Sequence, residues 1–334
     1  MTNNSQAGRY NIMKSTEKIS LRFNENGTFR ILMVSDIQET QNYDPRALAG
    51  LRAMIQAEKP DLVILGGDNC DGRKIKSKED LQAYLDVFTA PMEESHTPWM
   101  HIYGNHDYDV DVPAREQSDM YESYPHCISG HSPEGVPGVS NYMVPILSHD
   151  SETIAYCIYA FDTHHKEPVF ATGATVDTLM LPNRPPCFRK WDVIRFEQQL
   201  WYWNLSKELE AKEGHKVPAM AVMHVAPQEV NMIVDNPEET GLTGEHDELM
   251  QCGVVNSGVF STMLERGDVK IIAAGHSHEV TLDGVYGGIR FCLDGCAGFT
   301  PYGLDDHRGG RIFELNEDGS CNTYMVAIKD LMEI

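Results

Sequence analysis

Residues 61–72 read DLVILGGDNCDG, an apolar run of strand length that stops abruptly in the polar cluster Gly66-Gly67-Asp68-Asn69. The same event recurs along the chain. ILMV runs into Ser35-Asp36-Ile37-Gln38, WMHIY into Gly104-Asn105-His106-Asp107, VPAMAV into Met223-His224, and VKIIAA into Gly275-His276-Ser277-His278. Each run has the length of a buried strand. Strands that end in Asp, Asn or His carry those side chains to one edge of a sheet.

Working outward, residues 29–34 read as a strand, and Asp44-Pro45 opens an amphipathic segment that ends near Lys59. Asp44 is the expected cap and Pro45 a first-turn residue. Pro60 stops the helix, and residues 62–65 form the next strand. A strand–helix–strand unit of this length favours parallel neighbours. A second helical stretch at 77–92 leads through Pro98 into a strand at 99–103. Between 108 and 190 the periodicity weakens, Pro, Gly, Ser and His accumulate, and the clear strand candidate is 153–161. So long an irregular stretch reads as a functional insertion. Residues 191–213 read as an amphipathic helix with Phe196, Leu200, Trp203 and Leu209 at helical spacing. A strand at 217–223, an acidic loop at 235–248, a short helix near 259–266 and a strand at 269–273 follow. The tail alternates turns with short strands at 280–282, 289–293, 310–315 and 323–327. The expected organisation is a polar, disordered tail over 1–19, then a single domain over 20–334 with an insertion at about 108–190.

Acidic residues outnumber basic ones by 50 to 27, a net charge of −23. A field of that sign repels nucleic-acid backbones, so no nucleic-acid partner is expected. The eight cysteines, Cys70, Cys127, Cys157, Cys187, Cys252, Cys292, Cys296 and Cys321, form no CxxC pair. Reduced thiols, and with them a cytoplasmic location, are the expectation. No apolar stretch approaches eighteen residues, so no membrane span is expected.

Each polar cluster alone is weak evidence, because an Asp after a strand is commonly a cap or turn residue. Their order and shared strand-end placement carry the argument. Two divalent cations about 3.5–4 Å apart need roughly four protein ligands each, with one carboxylate shared. The clusters offer three carboxylates, two Asn, a Gln and four His. That inventory suits Mn, Fe, Zn or Mg better than soft metals. The pattern is that of a dinuclear metallohydrolase.

From Asp36 to His278, about three quarters of the chain, the order of motifs resembles the calcineurin-like metallophosphoesterase superfamily. GDN, the distant GNHD and the Arg308-Gly-Gly-Arg311 hairpin are similar to its purple acid phosphatase 29-like branch. The resemblance implies an α/β fold: a four-layer αββα sandwich of the metallo-dependent phosphatase type, with two mixed sheets flanked by helices. It implies two divalent metal ions. Asp36 and His278 would hold the first, Asp68 would bridge, and Asn105, His224 and His276 would complete the second. His106 would face the phosphate and protonate the leaving oxygen, and Asp107 would orient that ring. The implied reaction is hydrolysis of a small phosphomonoester or phosphodiester by a hydroxide activated at the dinuclear centre. One position departs from the pattern. The first motif usually reads D-x-H, and here Gln38 stands in place of the imidazole. Its carbonyl oxygen is a poorer donor, although it can bind a hard cation. Asp71 either compensates or is a turn residue before Gly72. A first site degraded at Gln38 leaves a second reading open, a non-catalytic metal-binding regulatory module. Arg184, Arg189, Lys190 and His164-His165 are candidates to line an entrance, or are ordinary surface charge. The sequence leaves the oligomeric state open.

Overall fold

The computed structural model describes residues 19–180 and 188–333. The polar tail, Arg184, Cys187 and the side chain of Arg189 lie outside the described residues. In the strand Thr28–Val34, period-two alternation puts Ile31 and Met33 on one face and Leu32 and Val34 on the other, all buried. Burial of both faces requires a layer on each side. This strand lies in a five-stranded sheet ordered Cys321–Ala327, Gly309–Asn316, Thr28–Val34, Leu62–Leu65, Trp99–His101. A seven-stranded sheet runs Leu21–Arg22, Tyr142–Leu147, Ile154–Phe161, Ala219–Met223, Val269–Ala274, Ile289–Leu293, Asp283–Tyr286. Both sheets mix parallel and antiparallel pairs.

The sheets face each other through Ile31, Met33, Ile64 and Met100 on one side and Ile158, Met220, Val222 and Ile271 on the other. Behind the first sheet, Leu32, Val34 and Val63 pack under helices Pro45–Glu58 and Lys78–Phe88 through Leu51, Met54, Leu81 and Leu85. Behind the second, Tyr159, Ala221 and Ile272 pack under Phe196–Glu213 and Val259–Arg266 through Trp201, Tyr202, Leu205 and Phe260. Helix, sheet, sheet, helix is the four-layer α/β sandwich expected above.

Local signals held where they were strongest. Helix Pro45–Glu58 starts with the Asp44 side chain accepting from Arg46 N and ends at Lys59 in the left-handed region, φ 47°. The helix expected at 77–92 divides into Lys78–Phe88 and Ala90–Ser95. Pro91 lacks an N–H to continue the first ladder, so the chain restarts there.

Other expectations are corrected. Trp191 is not helical; it ends the strand Phe188–Trp191, which pairs with Cys252–Gly253, and the helix begins at Phe196. That helix buries Trp201, Tyr202, Leu205 and Leu209, whereas Phe196 and Leu200 are 71% and 44% exposed. Tyr159 and Phe161 set the face, because both meet Trp201 and Tyr202 edge-on. Within the stretch 108–190, Tyr142–Leu147 is a strand the sequence did not reveal, paired with Ile154–Phe161. Pro145 disguised it. The outer neighbour Leu21–Arg22 reaches only Ile146 and Leu147, so position 145 has no outer partner to satisfy. Residues 280–282 are not a strand; the hairpin is Asp283–Tyr286 with Ile289–Leu293, turning at Gly287-Gly288 with φ 59° and 80°. Positive φ at both turn positions is the twist a two-residue hairpin requires.

Among the described residues no two cysteines are joined by a disulfide. Among the described residues no helix is long and apolar enough to cross a membrane.

Candidate metal centre

The parallel strands Thr28–Val34, Leu62–Leu65 and Trp99–His101 end together and deliver Asp36, Asp68 and Asn105. In the facing sheet, the parallel strands Ala219–Met223 and Val269–Ala274 deliver His224, His276 and His278 to the same place. The turns that do this are strained. Asp36, Gln38, Asp68 and His276 hold φ of 52°, 41°, 49° and 72°. Left-handed non-glycine residues cost of order 1 kcal/mol each and persist where the surroundings over-determine them. Glycine permits the close approach: a Cβ on Gly104 would lie 2.3 Å from Asp68 N.

Asp68, His224 and His276 each offer a buried ligand atom within 4.8 Å of the others. His224 Nδ1 lies 3.0 Å from Gly66 O, so donation there leaves Nε2 as the coordinating atom, 3.4 Å from Asp68 Oδ2. Against burial, which lowers it, the Asp68 and Asp36 carboxylates raise His224 to about 9. Burial, with His224 nearby, lowers His276 to about 3. Nε2 of His224, Nε2 of His276 and Oδ1 of Asn105 are buried and make no hydrogen bond among the described residues. Leaving such atoms unpaired is costly, and a divalent cation beside Asp68 would satisfy all three. This donor set fits a metal.

The first set is different. His278 Nε2 lies 3.0 Å from Asp36 Oδ1, and His278 Nδ1 lies 2.8 Å from Tyr302 O. Gln38 Nε2 sits among the acceptors, 3.0 Å from Asp68 Oδ2, 3.1 Å from His278 Nε2 and 3.5 Å from Asp36 Oδ1. The amide N–H edge thus stands where a cation would be shared. A half-turn of the amide would exchange nitrogen for Oε1 and supply a fourth donor. This set fits a metal only with that rotation. Asp71 is no substitute, because its buried carboxylate is engaged by Arg73 Nε at 2.7 Å and Lys74 Nζ at 2.9 Å.

His106 lines the cavity over the centre, with its backbone N donating to Asp68 Oδ1 at 2.7 Å. The expected partner of its ring is corrected. Asp107 is buried and accepts from the backbone N–H of Asn69 at 3.0 Å and of Gly104 at 2.8 Å. Burial and the nearby Asp68 raise its carboxyl to about 7. It ties two loops together and does not touch the imidazole. Asp109 does so instead, with Oδ2 at 2.8 Å from His106 Nδ1 and Oδ1 at 3.0 Å from His165 Nε2. Asp107–Asp109 is a single 3₁₀ turn, in which side chains three apart eclipse, so position 109 meets position 106.

A cavity of about 380 Å³ opens over Gln38, Asp68, Asn105, His106, His276 and His278. Its outer wall includes Arg73, Trp191, Gln251, Thr300 and Tyr302, none of them anticipated as site residues. Arg73 had a local signal, five residues after Asp68 in the same loop. The others come from separate loops and had none. Of the entrance candidates, His165 reaches Asp109, whereas His164 Nε2 lies 2.9 Å from Gln198 Oε1.

A family model described as calcineurin-like phosphoesterase matches residues 29–280. "Probable inactive purple acid phosphatase 14" of Arabidopsis thaliana is 29% identical over 315 residues, covering 85% of this chain and 74% of that protein. "Probable inactive purple acid phosphatase 29" of the same plant is 27% identical over 323 residues, covering 87% and 77%. A solved dimetal phosphatase from Danio rerio superposes with a TM-score of 0.56 at 14% identity, covering 89% of this chain and 98% of that one. That likeness shows the shared fold, and the Arabidopsis relatives show distant homology to the purple acid phosphatase 14- and 29-like proteins.

Proposed function

The chain belongs to the calcineurin-like phosphoesterase family, and from that premise we propose that it is a metal-dependent phosphoesterase hydrolysing a small phosphomonoester or phosphodiester. The observation that carries this reading is the set of buried, unpartnered donors on Asn105, His224 and His276 beside Asp68, in a centre whose cavity wall also holds His106. The residues divide the work. Asp109 on Nδ1 leaves His106 Nε2 to give a proton to the departing oxygen. Arg73, held by Asp71, offers a guanidinium in the cavity wall for a phosphoryl oxygen. Asp36, Asp68, Asn105, His224, His276 and His278 would hold two divalent ions (Mn, Fe, Zn or Mg), with Gln38 Oε1 joining after rotation. When bound, such ions supply water that ionises near neutral pH and neutralise phosphoryl charge.

A second reading rests on Gln38. With its amide N–H edge left among Asp36, Asp68 and His278, the protein would hold one ion and bind without turnover. The names of the two Arabidopsis relatives, which call them inactive, agree with it. Chelator-stripped protein titrated with manganese separates the readings. Hydrolysis of p-nitrophenyl phosphate or bis-p-nitrophenyl phosphate that rises with two bound ions per chain supports the enzyme. One tight ion with no turnover of either ester overturns it.

A further inference from the structure

Two aromatic rings rest on the histidines of the metal centre. Tyr302 stacks on His278 with centroids 4.2 Å apart and 12° between planes, yet it is 53% exposed in the cavity wall. Trp191 meets His276 edge-on at 4.5 Å and lines the same cavity. Both are held firmly. The buried Glu39 carboxylate accepts from Phe299 N at 3.0 Å, Thr300 N at 2.9 Å and Thr300 Oγ1 at 2.6 Å, which pins the loop before Tyr302. Val254 N donates to Trp191 O at 3.0 Å. The Tyr302 hydroxyl donates to Glu248 Oε2 at 3.2 Å, and Gln251 Nε2 donates to the same oxygen at 3.2 Å.

Orienting His278 does not require the Tyr302 ring, because the Tyr302 backbone carbonyl already takes Nδ1. A preorganised, half-open aromatic face beside a phosphoester site is a stacking platform. We propose that Tyr302 and Trp191 form a subsite for a planar aromatic or heteroaromatic group carried by the substrate, a reading that takes the position of the phosphate from the proposed phosphoesterase activity. The negative edge from Glu248 disfavours anionic rings, and the polar Gln251 and Thr300 disfavour a long alkyl chain. A cavity of this size accommodates a ring and a short linker.

The test is a matched pair, AMP and ribose 5-phosphate, which share the phosphate and its ester oxygen and differ in the base. Their affinities for the manganese-loaded protein are measured by calorimetry, and kcat/KM is measured alongside. AMP is expected to bind about five- to a hundredfold more tightly than ribose 5-phosphate. Tyr302→Ala should collapse that ratio toward one, and Tyr302→Phe should preserve it. Loosening of His278 in the alanine variant would weaken both ligands together and leave the ratio intact. Equal affinities in the wild-type protein, or a ratio unmoved by Tyr302→Ala, would overturn the subsite. Selective AMP binding without hydrolysis of either compound would uphold the subsite, and the p-nitrophenyl ester assay would then decide the activity separately.

Discussion

Replacing Asp109 by Asn tests the assignment on which the proton transfer depends. The His106–Asp109 contact is 2.8 Å long, and the Asp109 side chain is largely sheltered. A hydrogen bond to an ionised group contributes about 1.5–3 kcal/mol, roughly twice its neutral counterpart. Asn keeps the shape and an acceptor oxygen but removes the charge that stabilises a protonated imidazole. His165 and Lys166 also lean on Asp109, so part of its charge is already spent on them. A loss of about 1.5–2 kcal/mol in the transition state follows, roughly 10–30-fold in kcat. The loss should depend on the leaving group. Glycerol phosphate needs its departing oxygen protonated, whereas p-nitrophenolate leaves without that help. Steady-state kinetics on both esters should therefore show the full drop for glycerol phosphate and less than about threefold for p-nitrophenyl phosphate. Equal losses on the two esters, or none on either, would refute the role of Asp109. Asp107→Asn is the contrasting variant. It sets an amide N–H against one of the buried N–H groups of Asn69 and Gly104, each of which now has a carboxyl oxygen, and should cost about 1–3 kcal/mol in urea denaturation, with the ester ratio unchanged.

Asp68→Asn or His224→Ala should reduce bound manganese, read by atomic emission, and lower turnover by more than about a hundredfold. Retained metal content would remove either residue from the donor set. Gln38→His should replace an amide that now bonds Asp68 with a true nitrogen donor and tighten the first ion by roughly tenfold; an unchanged binding isotherm would show that the first position is satisfied otherwise. His101 is buried on Tyr121, and burial lowers it from 6.5 to about 3. The folded chain then holds fewer protons there than the unfolded chain below pH 6.5, so this contribution is intact above 6.5 and is lost as pH falls toward 3. The loss at pH 5 is about 2 kcal/mol. Urea midpoints at pH 7 and pH 5 should converge by that amount in His101→Phe relative to wild type, and parallel shifts in the two proteins would contradict it.

Strand-end residues were legible because the end of a strand is a local event. An apolar run has to stop where the sheet meets solvent, and the residue that follows it faces the shared edge. That rule marked the clusters that hold Asp36, Asp68, Asn105, His224, His276 and His278; singling those six out as a ligand set came from the resemblance to calcineurin-like phosphoesterases. The residues themselves showed strand–helix–strand units such as the one built on the capped helix Pro45–Glu58, the four-layer sandwich came from the resemblance, and burial of both faces of Thr28–Val34 is why layers lie on both sides. What the sequence hid depends on segments far apart in the chain. Trp191 resembled the start of a helix until Cys252–Gly253 paired with it, and Phe196 seemed an inward residue until Tyr159 and Phe161 claimed the neighbouring face. Asp107 and Asp109 are two positions apart, and only the 3₁₀ turn decides which one meets His106. Tyr302 reaches the centre because Glu39, some 260 residues earlier, holds its loop. Periodicity and capping act within one element and are written in consecutive residues. The walls of a cavity are set by packing between elements, and that is decided only when the chain has folded.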